Sequence, residues 1–301
     1  MIIFADREFE TYSEGKTIPK PAAILADFEQ RDLAFALSGI DTRSIFPDPE
    51  SQTIRFESRN KYDYFAVHIP ESIFSKKETE LIEIYLTQEF LVVLGQNPIL
   101  QSWQKSLVSG PLENLTTGQM LSLLFNQILS QDLELLDQIE DRIEELEEDA
   151  TLKNPNDHTN IIITLRKQLL ALKRYFQAWY ESLEELEENQ NNLFSTDQLK
   201  IFRAQKNKAG RLLNTVLNLR DYLTQVREAY QNQLDISLND TMRFFTVVTS
   251  IFLPLNLIVG WYGMNLKMPE LAYKGTYIIV ILVSISFIVF SLIYGKKKGW
   301  F

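Results

Sequence analysis

The chain has 301 residues, enough for one sizeable water-facing domain together with a small membrane-spanning part. Its formal net charge is −10, which argues against nucleic acid as a partner and suits a protein that handles cations. The absence of cysteine excludes disulfides and thiolate chemistry. A zinc site built on imidazole would need an unusual ligand set, because His68 and His158 are the only histidines. We expect both to be ordinary structural or surface residues.

The first hundred residues mix strand and helix patterns. Three short runs, 64–69, 81–86 and 89–94, are rich in β-branched and aromatic residues, and Thr87-Gln88 is predicted to connect the last two as a hairpin. The segment 22–35 is predicted to be a helix. These patterns predict an α+β domain over residues 1–115, with a strand order that the sequence does not determine.

After Thr117 the pattern becomes helical, with apolar side chains at three- and four-residue spacing on both sides of a turn at 153–157. The two apolar stripes are predicted to pack as an antiparallel hairpin over residues 116–193. Their outer faces are densely acidic, and two interpretations remain open: a solvated helix face, or a surface that attracts cations. The first stripe comprises Leu129, Leu133, Leu136, Ile139, Ile143 and Leu146, and the second comprises Ile162, Leu165, Leu169, Leu172, Phe176, Trp179, Leu183 and Leu186.

A very long helix is predicted to follow. Ser195 and Gln198 have the spacing of a capping box, the next proline is Pro254, and only Gly210 weakens the helical pattern in between. We predict one helix of about 65 residues, roughly 100 Å long at ~1.5 Å per residue. A lone helix of that length would not be stable in water, so it implies packing against other helices and hence an oligomer.

Two stretches near the end of the chain carry no charge, 244–265 and 275–294. Each is long enough to cross a bilayer core, which needs about 20 apolar residues. The prediction is a cytoplasmic stalk helix over 194–243, a first transmembrane helix over 244–264, an outer loop over 265–274, a second transmembrane helix over 275–294 and a basic tail over 295–301.

The orientation follows from the first residues, which show no basic region followed by an apolar core, so we expect no signal peptide. The N-terminal domain should then stay in the cytoplasm, and two crossings of the plasma membrane return the C-terminus to the same side. Lys296-Lys297-Lys298 agrees with the positive-inside bias. The outer loop also carries Lys267 and Lys274, so charge alone is a weak argument.

The residues that carry chemistry lie in or beside the membrane. The sequence has no Gly-rich phosphate loop, nucleophile elbow or zincin motif, so we do not expect an enzyme. Asn256 lies mid-membrane, where an unsatisfied amide is costly. Periodicity leaves two interpretations open: copies of this helix surround a pore with an acidic inner vestibule, or the acids are solvated and Asn256 binds a neighbouring helix. Counting back by sevens from Asn256 gives Thr249, Met242, Asp235, Glu228 and Asp221.

The segment 251–265, which ends in Gly263-Met264-Asn265, and the following Met268-Pro269-Glu270-Leu271 resemble the CorA family of magnesium transport proteins. The signature of that family is Gly-Met-Asn at the outer end of the first membrane helix. The basic tail is also similar. The resemblance is strongest over about the last 60 residues, and the upstream order of α+β domain, acidic helical hairpin and long stalk agrees over the whole chain.

The resemblance implies a homopentamer in the lipid bilayer that transports Mg²⁺, with Co²⁺ and Ni²⁺ as further candidate ions and with no cofactor. Five long helices would line the pore, and the second helices would lie outside. The implied roles are an outer ion entrance at Gly263, Met264 and Asn265, a polar ring at Asn256, an apolar gate at Met242 and Phe245, and an inner acidic vestibule at Glu228 and Asp235.

Regulation is where the sequence departs from the family. Intracellular Mg²⁺ bound between cytoplasmic domains favours closure in relatives, and many of them carry aromatic-Arg-Asp in the early stalk. Here Phe202-Arg203-Ala204 lacks the acid, which predicts weaker or relocated feedback inhibition.

Two alternatives stay open. A zinc-transporting branch has the same fold but generally departs from Gly-Met-Asn. A membrane-anchored cytoplasmic scaffold or sensor would need neither Asn256 in the membrane nor a Gly-Met-Asn mouth.

Overall fold

The computed structural model describes residues 1–5, 8–13, 18–41, 54–69, 81–109, 115–150, 158–265, 269 and 275–297. The chain forms two compact units. The first unit comprises Met1–Leu146 and Asp157–Val226, and the second comprises Glu147–Asn156 and Arg227–Phe301.

The described residues of the first unit contain a seven-stranded sheet with the order β2-β1-β3-β7-β6-β5-β4. Strands β3 and β7 are parallel, and every other neighbouring pair is antiparallel. The strands are β1 (Ile2–Ala5), β2 (Glu8–Thr11), β3 (Ala22–Ala26), β4 (Arg55–Arg59), β5 (Tyr62–His68), β6 (Leu81–Leu86) and β7 (Phe90–Leu94).

Six α-helices lie in the described ranges, together with a 3₁₀ turn at Phe28–Gln30. They are α1 (Arg31–Ser38), α2 (Pro98–Ser109), α3 (Thr117–Ala150), α4 (Thr159–Glu187), α5 (Thr196–Tyr262) and α6 (Thr276–Lys297). Helix α5 has 67 residues, which confirms the predicted single long helix. The predicted turn at 153–157 lies outside the described residues.

The three predicted strands correspond to β5, β6 and β7, and the predicted hairpin joins the last two. Its turn is closed by the Thr87 N–H, which donates to the Phe90 carbonyl oxygen at 2.9 Å. The predicted helix over 22–35 is wrong, because residues 22–26 form β3 and the α-helix begins only at Arg31. All five residues of β3 are buried between β1 and β7, so burial in the sheet outweighs the helix propensity of alanine and leucine.

The two faces of the sheet carry different helices. Along β3, Ala23 and Leu25 belong to a large core that contains Trp103 of α2. The alternate residues Ala22 and Ile24 belong to a smaller core on the other face, together with Ala34 and Phe35 of α1. The period of two in a strand separates these two sets.

The predicted apolar stripes of α3 and α4 belong to the large core, to which α2 and α5 also contribute. Every member is buried except Leu133, which is 50% exposed, so its assignment to the stripe is wrong. Asp132 of α3 is also buried: it is 3% exposed, beside the Tyr175 hydroxyl of α4 and within the field of Lys208 of α5. Burial raises the pKa of Asp132 to about 8, and these two neighbours offset only part of that rise.

The start of α5 and the loop before it are held in place by side-chain hydrogen bonds. The predicted capping box is confirmed: the Ser195 N–H donates to Gln198 Oε1 at 2.7 Å, and the Gln198 N–H donates to Ser195 Oγ at 3.4 Å. Just before it, the Asn191 amide donates to Asp63 Oδ1 and to the Arg59 carbonyl oxygen, both at 2.7 Å. The loop between α4 and α5 is thereby tied to the β4–β5 hairpin.

Candidate ion pathway

The second unit contains the membrane-spanning part of α5, which passes through Pro254 without a break. Proline has no N–H, so the carbonyl oxygen of Ser250 loses its helical donor. In the turns before the proline, Thr246 Oγ1 donates to the Met242 carbonyl oxygen at 2.8 Å, and Ser250 Oγ donates to that of Thr246 at 2.7 Å. These bonds keep both hydroxyls satisfied within the helix, and proline is tolerated in membrane helices more than in soluble ones.

Helices α5 and α6 each have one less exposed face. On α5 the residues with reduced exposure recur at three- and four-residue spacing, as expected for a single helix face. On α6 the corresponding face includes small residues, which allow membrane helices to approach closely. The less exposed positions are Val247, Val248, Ile251, Pro254, Leu255 and Ile258 on α5, and Val280, Ser284, Phe287, Ile288, Ser291 and Gly295 on α6.

The predicted polar stripe lies on the other side of α5. At ~100° per residue, Met242, Thr249 and Asn256 point roughly 150° away from the centre of the less exposed face of α5. All three are exposed in the single chain. Phe245 is exposed on the same side of the helix. The stripe therefore remains available to other helices or to water.

The stripe continues in both directions. Glu228 and Asp235 extend it toward the first unit, and both are exposed. In the other direction the seven-residue spacing reaches Gly263, which the predicted stripe did not include although it follows Asn256 by seven residues. Because seven residues fall about 20° short of two turns, the stripe winds slowly around α5. It connects acidic positions at one end to the Gly-Met-Asn segment at the other.

The predicted outer entrance coincides with the end of α5. The Gly263 N–H donates to the Val259 carbonyl oxygen at 2.8 Å, and the Met264 N–H donates to that of Trp261 at 3.3 Å. A Cβ on Gly263 would lie 2.9 Å from the Val259 carbonyl oxygen, closer than side chains tolerate. Glycine therefore lets the backbone close tightly, and the exposed residues Met264 and Asn265 follow it. Met268, Glu270 and Leu271 lie outside the described residues.

In a single chain each position of the stripe contributes only one polar side chain, so an ion at that position has one protein ligand at most. Within the described ranges no three His, Cys, Asp or Glu side chains converge on a position that could hold a metal ion. Asp221, in the first unit, is exposed, and its carboxylate lies 3.6 Å from the Arg220 guanidinium.

The early part of α5 holds the triad that departs from the family pattern. Phe202 is fully buried, whereas Ala204 is exposed. The Nε of Arg203 donates to Glu187 Oε1 at 2.7 Å, and Lys206 pairs with the other oxygen of the same carboxylate. Burial raises the pKa of Glu187, but hydrogen bonds and charges of Lys206 and Arg203 outweigh it and leave the pKa below its ordinary value. These ion pairs fasten the end of α4 to α5.

Two helices of the described chain, α5 and α6, are long and apolar enough to cross a membrane. Two helices of this kind are typical of a membrane protein, and the exposed polar stripe on α5 is its candidate ion pathway. The model of the CorA-like Mg²⁺ transporter protein family matches residues 46–297, and the chain belongs to that family. It is accordingly not an enzyme, and the predicted α+β domain with a long helical stalk and two C-terminal membrane helices is confirmed.

Individual relatives agree with this assignment. The cobalt/magnesium transport protein CorA of Thermotoga maritima is 28% identical over 230 residues, which cover 74% of this chain and 65% of that protein. The magnesium transport protein CorA of Helicobacter pylori is 26% identical over 237 residues, with 74% and 71% covered. The complete structure of the CorA magnesium transporter from Methanocaldococcus jannaschii superposes with a TM-score of 0.84 at 20% identity, covering 100% of this chain and 98% of the other.

Proposed function

We propose that this protein is a channel-like Mg²⁺ uptake protein of the plasma membrane, in which copies of α5 surround the ion pathway and α6 lies outside. One observation carries the proposal: the exposed stripe from Glu228 to Gly263 lies opposite the less exposed face of α5 and ends in Gly-Met-Asn. A helix that served only as an anchor would have no need for an exposed Asn256 on that side. The membership in a family of Mg²⁺ transporters supports the choice of ion.

The pore requires several copies of the chain, and five is the number that the family resemblance implies. Every stripe position is exposed in the single chain, so association would convert single side chains into rings. The homopentamer would place five α5 helices around the axis. The five α6 helices would then face the lipid bilayer.

The outer entrance would select hydrated Mg²⁺ without stripping it. Mg²⁺ is small and dehydrates reluctantly, so it usually keeps several waters when proteins bind it. A ring of Asn265 side-chain oxygens and nearby backbone carbonyls accepts hydrogen bonds from those waters. Weak binding at several points also lets the ion leave again. Because hydrated Co²⁺ and Ni²⁺ have similar shells, they are expected to pass as well.

Further along the axis, each stripe position has a distinct role in the proposal. Asn256 forms a second polar ring within the membrane. Met242 and Phe245 form an apolar constriction that closes by dewetting. Glu228 and Asp235 form the inner vestibule, where their negative charge raises the local concentration of cations.

The membrane potential drives entry, since inward movement of charge gains about 2.3 kcal/mol per charge per 100 mV. The proposed orientation has both termini in the cytoplasm. Lys296 and Lys297 at the end of α6 support it through the positive-inside bias. Mg²⁺ is thus the transported ion in this proposal, and intracellular Mg²⁺ is also the proposed regulatory ion. With Ala204 in place of the usual acid, feedback inhibition is expected to be weaker or to use other acids.

The test is Mg²⁺ entry into liposomes that contain the purified protein, with an inward-negative potential imposed. The intact protein should admit Mg²⁺, and Asn265→Ala should lose at least nine-tenths of the entry. Asn218→Ala, at an exposed position of α5 far from the entrance, is the matched control and should keep full entry. No Mg²⁺ entry by intact, inserted protein would contradict the proposal, and Zn²⁺ entry in its place would favour the zinc-transporting alternative.

A further inference from the structure

The centre of the sheet contains a topological switch point. Strands β3 and β7 are parallel neighbours, with Ala26 opposite Leu94 at their carboxyl ends. After β3 the chain enters α1 on one face of the sheet, and after β7 it enters α2 on the opposite face. In open α/β sheets, ligands bind in the crevice that such diverging connections leave outside the strand ends.

A cavity occupies this crevice in the first unit. Its volume is about 470 Å³, within the range of small-molecule sites. The ends of β3 and β7 form its floor, Gln30 of the 3₁₀ turn lines one side, and the first turns of α2 line the other. Leu25, Pro98 and Leu100 supply apolar surface between the polar groups.

The polar side chains of the lining are carboxamides and one carboxylate, and Met1 and Ile2 at the start of the chain also line the cavity. No lysine or arginine lines the cavity among the described residues, and Asp27 is the only acidic side chain there. The Gln30 side-chain oxygen is buried and accepts no hydrogen bond in the part of the chain that the structure describes. The carboxamides are Gln30, Gln96, Asn97, Gln101 and Gln104.

The polar side chains of the lining disfavour an anionic ligand. A helix N-terminus can attract anions, but the first free donor of α2 is already used, since the Ile99 N–H donates to Asn97 Oδ1 at 2.8 Å. The Asp27 carboxylate would also repel a phosphate. Carboxamides both donate and accept hydrogen bonds, so they suit a flat, uncharged ligand with donors and acceptors along its edge.

We propose that this cavity binds an uncharged purine nucleoside. Asparagine and glutamine pair with the donor and acceptor atoms on the edge of a purine base. A carboxylate at the end of a strand accepts hydrogen bonds from ribose hydroxyls in dinucleotide-binding sheets, and Asp27 stands at the end of β3. The apolar residues of the lining would contact the faces of the base.

The experiment is calorimetric titration of the full-length protein in detergent with adenosine, guanosine and AMP. We expect saturable binding of at least one nucleoside with one site per chain, and weaker binding of AMP than of adenosine. Gln101→Leu and Asp27→Asn should each weaken nucleoside binding at least tenfold. Gln101 is exposed, so its replacement leaves the fold intact. Gln177→Leu, an exposed glutamine of α4 outside the cavity, should change binding by less than twofold.

Three results would overturn the assignment. The first is the absence of a saturable heat signal when either nucleoside is titrated up to millimolar concentration. The second is nucleoside binding that neither cavity variant weakens, which would locate the ligand elsewhere. The third is tighter binding of AMP than of adenosine, which would contradict an uncharged ligand class.

Discussion

Replacing Asp132 by asparagine should stabilise the protein, and increasingly so as the pH rises. Asp132 is 3% exposed in the core between α3, α4 and α5, and burial raises its pKa to about 8. Its Oδ2 accepts no hydrogen bond within the described residues. An asparagine has nearly the same shape and never carries a charge, so it removes the titration and leaves the packing.

The magnitude follows from the difference in pKa between the folded and unfolded chain. An unfolded aspartate has a pKa near 3.9, so between about pH 4 and pH 8 the unfolded state releases a proton that the folded state retains. The stability of the wild-type protein therefore falls through this window and levels off above it. The two pKa values differ by about four units, of which about three lie below pH 7 and about one lies below pH 5. The loss of stability is therefore roughly 4 kcal/mol at pH 7 and only about 1.5 kcal/mol at pH 5.

The assay is urea unfolding of the full chain in detergent, followed by tryptophan fluorescence, at pH 5 and at pH 8. Trp179 reports directly, because its ring packs at 6.5 Å from that of Tyr175 beside Asp132. The stability advantage of Asp132→Asn should grow by at least 2 kcal/mol between the two pH values. Asp141→Asn, at an exposed position of the same helix, should show no such growth. A constant difference between Asp132→Asn and wild type would refute the reasoning.

Three further predictions concern the pathway and use the same liposome flux. Gly263→Ala should reduce Mg²⁺ entry at least fivefold, because its Cβ would lie 2.9 Å from the Val259 carbonyl oxygen. In the control Gly260→Ala the new Cβ meets no atom within 4 Å, so this variant should keep more than half of the Mg²⁺ entry. Equal losses in the two variants would contradict this explanation. Phe245→Ala should raise Mg²⁺ flux several-fold at Mg²⁺ concentrations that close the intact protein, while Phe244→Ala, at an exposed position outside the stripe, should not. An unchanged leak in the first variant would count against the gate. Asn256→Leu should lower entry at least tenfold without loss of insertion, and normal entry would remove this residue from the pathway.

The helical half of the molecule was largely predictable, because its signals are local. The capping box at Ser195 and the seven-residue spacing up to Asn256 can be read without knowing what packs on them. The position of the stripe opposite the less exposed face of α5 could not be predicted, since it depends on which face of α5 is covered in the folded protein.

The sheet was harder to predict for the same reason. Residues 22–26 form a strand only because β1 and β7 enclose them, and β7 lies more than sixty residues later. A run with three alanines and a leucine favours a helix until that burial is known. The cavity between Asp27 and Gln101 could likewise not be predicted from the sequence. It exists only because the chain segments after β3 and β7 leave these adjacent strands for opposite faces of the sheet.

The position of α5 in the core has a consequence for biosynthesis. The large core of the first unit includes Phe202, Val216 and Val226, all contributed by the first half of α5. Chains are made from the N-terminus at about 5–20 residues per second, so this core stays incomplete until translation has nearly reached the first membrane segment. Folding of the water-facing unit and insertion of α5 into the bilayer therefore fall within the same few seconds. A ribosome that stalls before Val226 would leave the apolar side chains that pack on α5, such as Phe125, incompletely covered, and the chain would lack both membrane helices.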